Sequence, residues 1–130
     1  MTRFDNCTIA NKTKGTPTRV GVPFVSIKDK ILGKDYELDV VFLTPKKQAE
    51  INKLYRNKEG TTNILSFPLS KTSGQITFDP IKIKGEAHLF GMTYPKFLKF
   101  LFIHGCLHLK GLKHSSTMER EEKKYLKFFS

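Results

Sequence analysis

The chain has 130 residues, is 38% hydrophobic with 11 Phe, and carries 23 Lys and Arg against 12 Asp and Glu, a net charge of +11. That length fits one domain, 1–130, large enough to bury a core without disulfide staples, and no run reaches the roughly 18 apolar residues of a membrane span. The basic balance suits a polyanionic partner such as RNA, but it is spread along the chain without a long tract and does not by itself separate an RNA binder from an inert basic surface.

Residues 1–6 lack the apolar region of a secretory signal, which points to a cytoplasmic protein. A first strand is predicted over 4–10. The polar stretch 11–21 is rich in turn formers, and Pro17 and Pro23 discourage regular structure there. Phe24, Val25, Ile27, Ile31 and Leu32 fit a short amphipathic helix within 23–32, stopped by Gly33. Residues 36–43, with Val40-Val41-Phe42-Leu43, read as a buried strand. Thr44-Pro45 is a cap followed by proline at the first helical position, which starts a helix over 45–55 that ends beside Arg56.

A loop at 60–62 precedes a short apolar strand, 63–67, closed by Pro68; a terminal proline suits a sheet edge. After a polar turn at 70–74, Gln75 to Phe78 is another strand. Asp79-Pro80 opens a helix expected to run to Phe90 and stop at Gly91, although Gly85 and the alternating Ile81-Lys82-Ile83 compete with it. Thr93 caps a central helix, 94–110. A last helix, 117–128, has an apolar stripe of Met118, Tyr125, Leu126 and Phe129, with Glu119, Glu121, Glu122 and three lysines in solvent. Strands and helices mixed without βαβ regularity give an α+β fold: a small mixed sheet packed with helices, the central one buried.

The chemistry concentrates in 104–114, His-Gly-Cys-Leu-His-Leu-Lys-Gly-Leu-Lys-His, which holds three of the four histidines. His104 and His108 are four apart and share one helix face. Gly111 can end the helix and let the chain double back to bring His114 against them. Three imidazoles then hold one metal ion and leave a fourth position open. The preceding run, Phe97 to Ile103, is almost wholly apolar, so unpartnered imidazoles on this helix would carry a desolvation cost of about 1–3 kcal/mol each. Zinc proteases of this spacing carry Glu directly after the first His as general base; here that position is Gly105, so the chemistry differs. Cys106 lies on another face and, like Cys7, reads as a space-filling thiol. His88 reads as a surface residue.

Two motifs resemble the YbeY family of bacterial endoribonucleases, or rRNA maturation factors. The family signature His-Gly-x-Leu-His-Leu-x-Gly-Tyr-Asp-His is matched at His104, Gly105, Leu107, His108, Leu109, Gly111 and His114, with Leu112 in place of Tyr and Lys113 in place of Asp. A second family stretch, Leu-Asn-x-x-Tyr-Arg-x-Lys-Asp-x-Pro-Thr-Asn-Val-Leu-Ser-Phe-Pro, is similar to residues 51–68 and aligns Asn52, Tyr55, Arg56, Asn63, Ser66 and Phe67. The resemblance covers most of the chain and weakens before about residue 36. It implies a zinc-dependent single-strand endoribonuclease, with one zinc or another divalent ion on His104, His108 and His114, that matures the 3′ end of 16S rRNA and serves ribosome quality control. It also implies a catalytic Arg56, whose planar guanidinium suits a phosphate, although a cation closing a helix needs no such role.

Asn63, Ser66 and Lys113 are candidate substrate contacts, and the strand at 63–67 is expected to border the metal cleft and offer its backbone to extended RNA. The general base is the missing part, since Gly105 and Lys113 stand where acids would serve. An ion-activated water without a separate base, an acid elsewhere, or the RNA 2′-hydroxyl as nucleophile each remains open. Two other classes compete: a non-catalytic ribosome-assembly factor with a structural metal, and a hydrolase of another substrate, such as a peptide, against which Gly105 argues.

Overall fold

The computed structural model describes residues 2–4, 6–14, 21–56 and 62–130, with only the backbone of 2–4 and of Arg56. The turn-rich segment at 15–20, most of the predicted loop before Thr62, and the Arg56 side chain lie outside the described residues. Five strands form one mixed sheet in the order β1-β2-β3-β5-β4. The strands are β1 (Thr2–Phe4), β2 (Cys7–Asn11), β3 (Glu37–Phe42), β4 (Ile64–Ser70) and β5 (Ser73–Phe78). The helices are α1 (Phe24–Leu32), α2 (Pro45–Arg56), α3 (Pro80–Glu86), α4 (Tyr94–Leu109) and α5 (Ser116–Phe128), with a 3₁₀ turn, Ala87–Phe90, after α3. The chain has the α+β architecture expected from its sequence, and among the described residues no helix is long and apolar enough to cross a membrane.

Several boundaries differ from the sequence-based expectation. The strand predicted over 4–10 is two antiparallel strands, Phe4 pairing with Cys7, with Asn6 at φ 62° beside the reversal; asparagine is among the few residues that take this conformation readily. Parallel crossovers are present among the described strands: β2 and β3 are parallel, joined through α1, and β3 and β5 are parallel, joined through α2 and β4. β3 is buried on one face only, with Leu38, Val40 and Phe42 inward and Glu37 and Asp39 outward. The outward Asp39 accepts a hydrogen bond from the hydroxyl of Thr8 on β2.

Pro68 lies inside β4 rather than ending it. The strand is at the sheet edge, where a missing N–H costs no ladder bond, and the register shifts beside it. The predicted turn at 70–74 tightens to Lys71-Thr72, so β5 begins at Ser73. The helix expected from Asp79 breaks after Glu86 into the 3₁₀ turn, and Gly91 closes it at φ 65°. The strand-like Ile81-Lys82-Ile83 is helical because Asp79 accepts from the Lys82 amide at 3.0 Å and Ile83 reaches the core.

The two sheet faces differ. One carries Leu38, Val40, Phe42, Ile76 and Phe78, which pack with Phe24 and Ile27 of α1 and Phe97, Leu98, Leu101, Phe102 and Cys106 of α4 in a continuous core. Phe42 stacks on Phe78, and Phe102 meets Phe24 edge-on at 4.8 Å. On the other face α2 is tied to β5 by Gln48, whose amide donates to the Thr77 carbonyl at 3.2 Å. α4 is thus pressed against the sheet with its C-terminal end beside the β4 edge, and α5 packs against α4.

Candidate metal centre and groove

Thr93 caps α4, accepting from the Lys96 amide at 3.4 Å, and the helix runs unbroken through His104 and His108. It ends in a reversal: Gly111, at φ 107°, donates to the His108 carbonyl at 2.9 Å while Leu112 donates to that of Leu107 at 3.1 Å. This paired closure requires a left-handed residue at position 111, which glycine supplies without strain. Leu112 then packs against the core and pins the returning chain. The reversal carries His114 back over the helix end, with ring centroids 4.9 Å from His104 and 4.7 Å from His108.

Candidate ligand atoms of the three imidazoles all lie within 4.8 Å of one another. The Nε2 atoms of His104 and His108 are 3.1 Å apart, close to the roughly 3.3 Å edge of a tetrahedron built on metal–nitrogen bonds of about 2.0–2.1 Å. This donor set fits one borderline divalent ion such as zinc better than calcium or magnesium, which take oxygen ligands. Among the described residues no further His, Cys, Asp or Glu joins the cluster. It also sits at the C-terminal end of α4, where the helix dipole favours a cation.

Glu122 holds the ring of His104. Its carboxylate lies 2.7 Å from His104 Nδ1 and the residue is 7% exposed. A carboxylate only accepts, so Nδ1 carries the proton and, in the neutral ring, Nε2 keeps its lone pair for the cluster. The sequence reading put Glu122 in solvent; the structure corrects this. The signal was present in the spacing, because Glu122 falls four after Met118 and three before Tyr125, on the stripe that α5 buries.

Gly105 is set by packing. A Cβ there would lie 3.0 Å from Ile64 Cδ1, Ile76 Cδ1 and Ser66 Oγ. The position that carries the base in zinc peptidases is here the point where α4 touches β4 and β5. Cys106, one residue on, is fully buried among core side chains, and burial pushes its thiol well above the ordinary value. It is a core residue, as expected, and so is Cys7, whose thiol burial raises to about 11. His88 is exposed on the 3₁₀ turn, away from the cluster.

A groove of about 580 Å³ opens onto the histidines, lined also by Leu109 and by Thr62, Ile64, Ser66, Phe67 and Pro68 of the β4 segment, with Tyr55 from α2. β4 therefore borders the cleft as anticipated, and Ser66 is in its wall. Asn63 is not in the lining: its amide donates to Glu86 at 3.0 Å, tying the start of β4 to α3. Lys113 is exposed on the returning turn, where its carbonyl accepts from the Ser115 hydroxyl, and it too is outside the lining. The described lining contains no Asp or Glu. Tyr55 and Phe67, which the sequence reading gave no role, form its aromatic end.

A family described as Endoribonuclease YbeY matches residues 20–129. Proteins named Endoribonuclease YbeY from Staphylococcus aureus strains JH9 and Newman are 29% identical over 109 residues, covering 73% of this chain and 70% of theirs. The solution structure of TM1509 from Thermotoga maritima superposes with a TM-score of 0.67 at 27% identity, covering 93% of this chain and 87% of that one.

The packing at Gly105 yields a prediction. Gly105→Glu, which writes the peptidase base into the helix, should destabilise the protein by about 3 kcal/mol or more, since overpacking here also buries a charge. Urea denaturation measures this; a variant as stable as the parent would mean that α4 is not seated as described.

Proposed function

Because the chain belongs to the YbeY endoribonuclease family, we propose that it is a metal-dependent single-strand endoribonuclease that matures rRNA at the 3′ end of 16S rRNA and takes part in ribosome quality control. Its partners are then rRNA and the ribosomal subunit, and its place is the cytoplasm. The observation that carries the reading is the convergence of His104, His108 and His114 at one end of a groove bordered by an edge strand. The +11 charge supports an RNA substrate, and the acid-free described lining lets a phosphodiester enter without repulsion.

The three histidines hold one zinc ion in this reading, and the absence of a further ligand from the cluster among the described residues favours an open site over a sealed structural one. When bound, such an ion lowers the pKa of water and polarises a phosphoryl oxygen. The protein's own residues supply the rest. Glu122 keeps His104 in one tautomer and orientation. Ile64 and Leu109 give the groove apolar walls beside the cluster. In this reading Ser66, in the groove wall, and the outer edge of β4 contact the sugar–phosphate chain. Arg56, which ends α2 one residue after Tyr55, brings a guanidinium to neutralise charge developing on the scissile phosphate. Glu122 is committed to His104 and the described lining holds no acid, so the nucleophile, a water or the RNA 2′-hydroxyl, gives its proton to solvent water.

Three variants test these roles, using an unstructured RNA and a transcript spanning the 16S 3′ end. His108→Ala is expected to lose both bound metal and cleavage; retention of both removes the three-histidine site. Arg56→Ala should keep the metal and lose turnover by about 100-fold, the scale of one charge-stabilising group, and unchanged turnover takes Arg56 out of the reaction. Glu122→Gln preserves the shape but weakens the acceptor, and should lower zinc affinity by about 10-fold in a chelator competition. An unaltered affinity would reduce the Glu122 contact to packing.

A further inference from the structure

The endoribonuclease reading uses one end of the groove. The other end is aromatic. Tyr55, on the last turn of α2, is 68% exposed, and its ring meets Phe67 edge-on with centroids 5.5 Å apart. Both rings line the same groove as the three histidines. Phe67 follows Ser66 on β4, so strand alternation turns it to the α2 face, while Ser66 faces Gly105 of α4. The groove therefore passes over the β4 edge of the sheet, with imidazoles on one side and a pair of rings on the other.

Packing does not account for Tyr55. α2 is seated by Gln48 and Asn52, both buried, whereas most of the tyrosine ring is left in water. A large, rigid ring with an open face costs little entropy to hold and offers the surface on which an unpaired base stacks. Base–aromatic stacking tolerates any base but needs one that is not already paired and stacked in a duplex.

We propose that Tyr55, backed by Phe67, is a stacking platform for one nucleobase of a single-stranded substrate, and that this base belongs to a nucleotide adjoining the phosphodiester held at the histidines. The proposal rests on the endoribonuclease reading and deepens it, since it gives the preference for single strands a physical source: a paired base cannot turn out onto the ring. Leu54 and Leu69 are also exposed, at 74% and 63%, and the whole strip could instead face a protein. The shared groove favours the base.

The test measures binding of a short, fluorescently labelled unstructured RNA to the full chain, stripped of metal so that the RNA stays intact, together with cleavage by the zinc-loaded protein. Tyr55 is exposed, so its variants should fold, and urea denaturation checks that they do. Tyr55→Leu, which keeps an apolar side chain but removes the π face, should weaken binding about 10-fold, the effect of losing one stacked base, while Tyr55→Phe stays within about twofold of the parent. Replacing bases one at a time by abasic ribose should reveal one position where the parent loses about 10-fold and Tyr55→Leu loses nothing more, because ring and base form one interaction.

If Tyr55→Leu binds and cleaves like the parent, the platform is wrong and the nuclease reading stands; a protein-docking role for the strip would give this result. If Tyr55→Phe is as weak as Tyr55→Leu, the hydroxyl and not the ring makes the contact, and stacking is overturned. If the parent neither binds nor cleaves RNA, both readings fall together.

Discussion

Helix α4 lies so close to the sheet that at residue 105 even a methyl group would meet Ile64, Ile76 and Ser66 at 3.0 Å. Much else in the site depends on this contact. It sets the height of α4 above β4, so that His104 and His108, one residue before and three after, stand at the sheet edge instead of over its centre. A carboxylate in the position next to the first histidine would have to displace these side chains. A histidine pair of familiar spacing is thereby turned away from the peptidase arrangement by packing, before any chemistry is considered.

The cluster is held from three directions. The aromatic core under α4 anchors two histidines, with Phe102 against Phe24 and Phe78. The closure at Gly111 returns the third histidine over the helix end, and Leu112 keeps it there by packing on the core. α5 supplies Glu122, which fixes the ring of His104 at 2.7 Å. Each support uses a different interaction, and together they bring the three imidazoles to one place. A site organised in advance loses less conformational freedom when it takes up a ligand.

Much of this was legible in the sequence. The spacing of His104 and His108, the glycine before His114, and the caps at Thr44, Asp79 and Thr93 all lie within one turn of the residues they govern, and local rules reach that far. The edge position of β4 was readable from Pro68. What the sequence left unread depends on distant partners. Glu122 looked solvated because a carboxylate among lysines usually is, and only the packing of α5 on α4 reveals the His104 ring against it. The hydrogen bond from Asn63 to Glu86, 23 residues away, follows from no local pattern either. The parallel pairing of β2 with β3 is not legible because β2 is short and a run of residues from 4 to 10 carries no mark of the reversal beside Asn6. Tyr55 and Phe67 lie twelve residues apart on different elements, and no local pattern marks them as neighbours.

The proposed activity requires an ion held by three imidazoles and used for phosphodiester cleavage. Elemental analysis of the purified native protein, run beside cleavage of a short unstructured RNA with and without chelator, addresses it most directly. The account predicts close to one zinc per chain, cleavage abolished by the chelator, and cleavage restored when zinc is returned. Protein that carries no metal and cuts RNA equally well in the presence of chelator would contradict it.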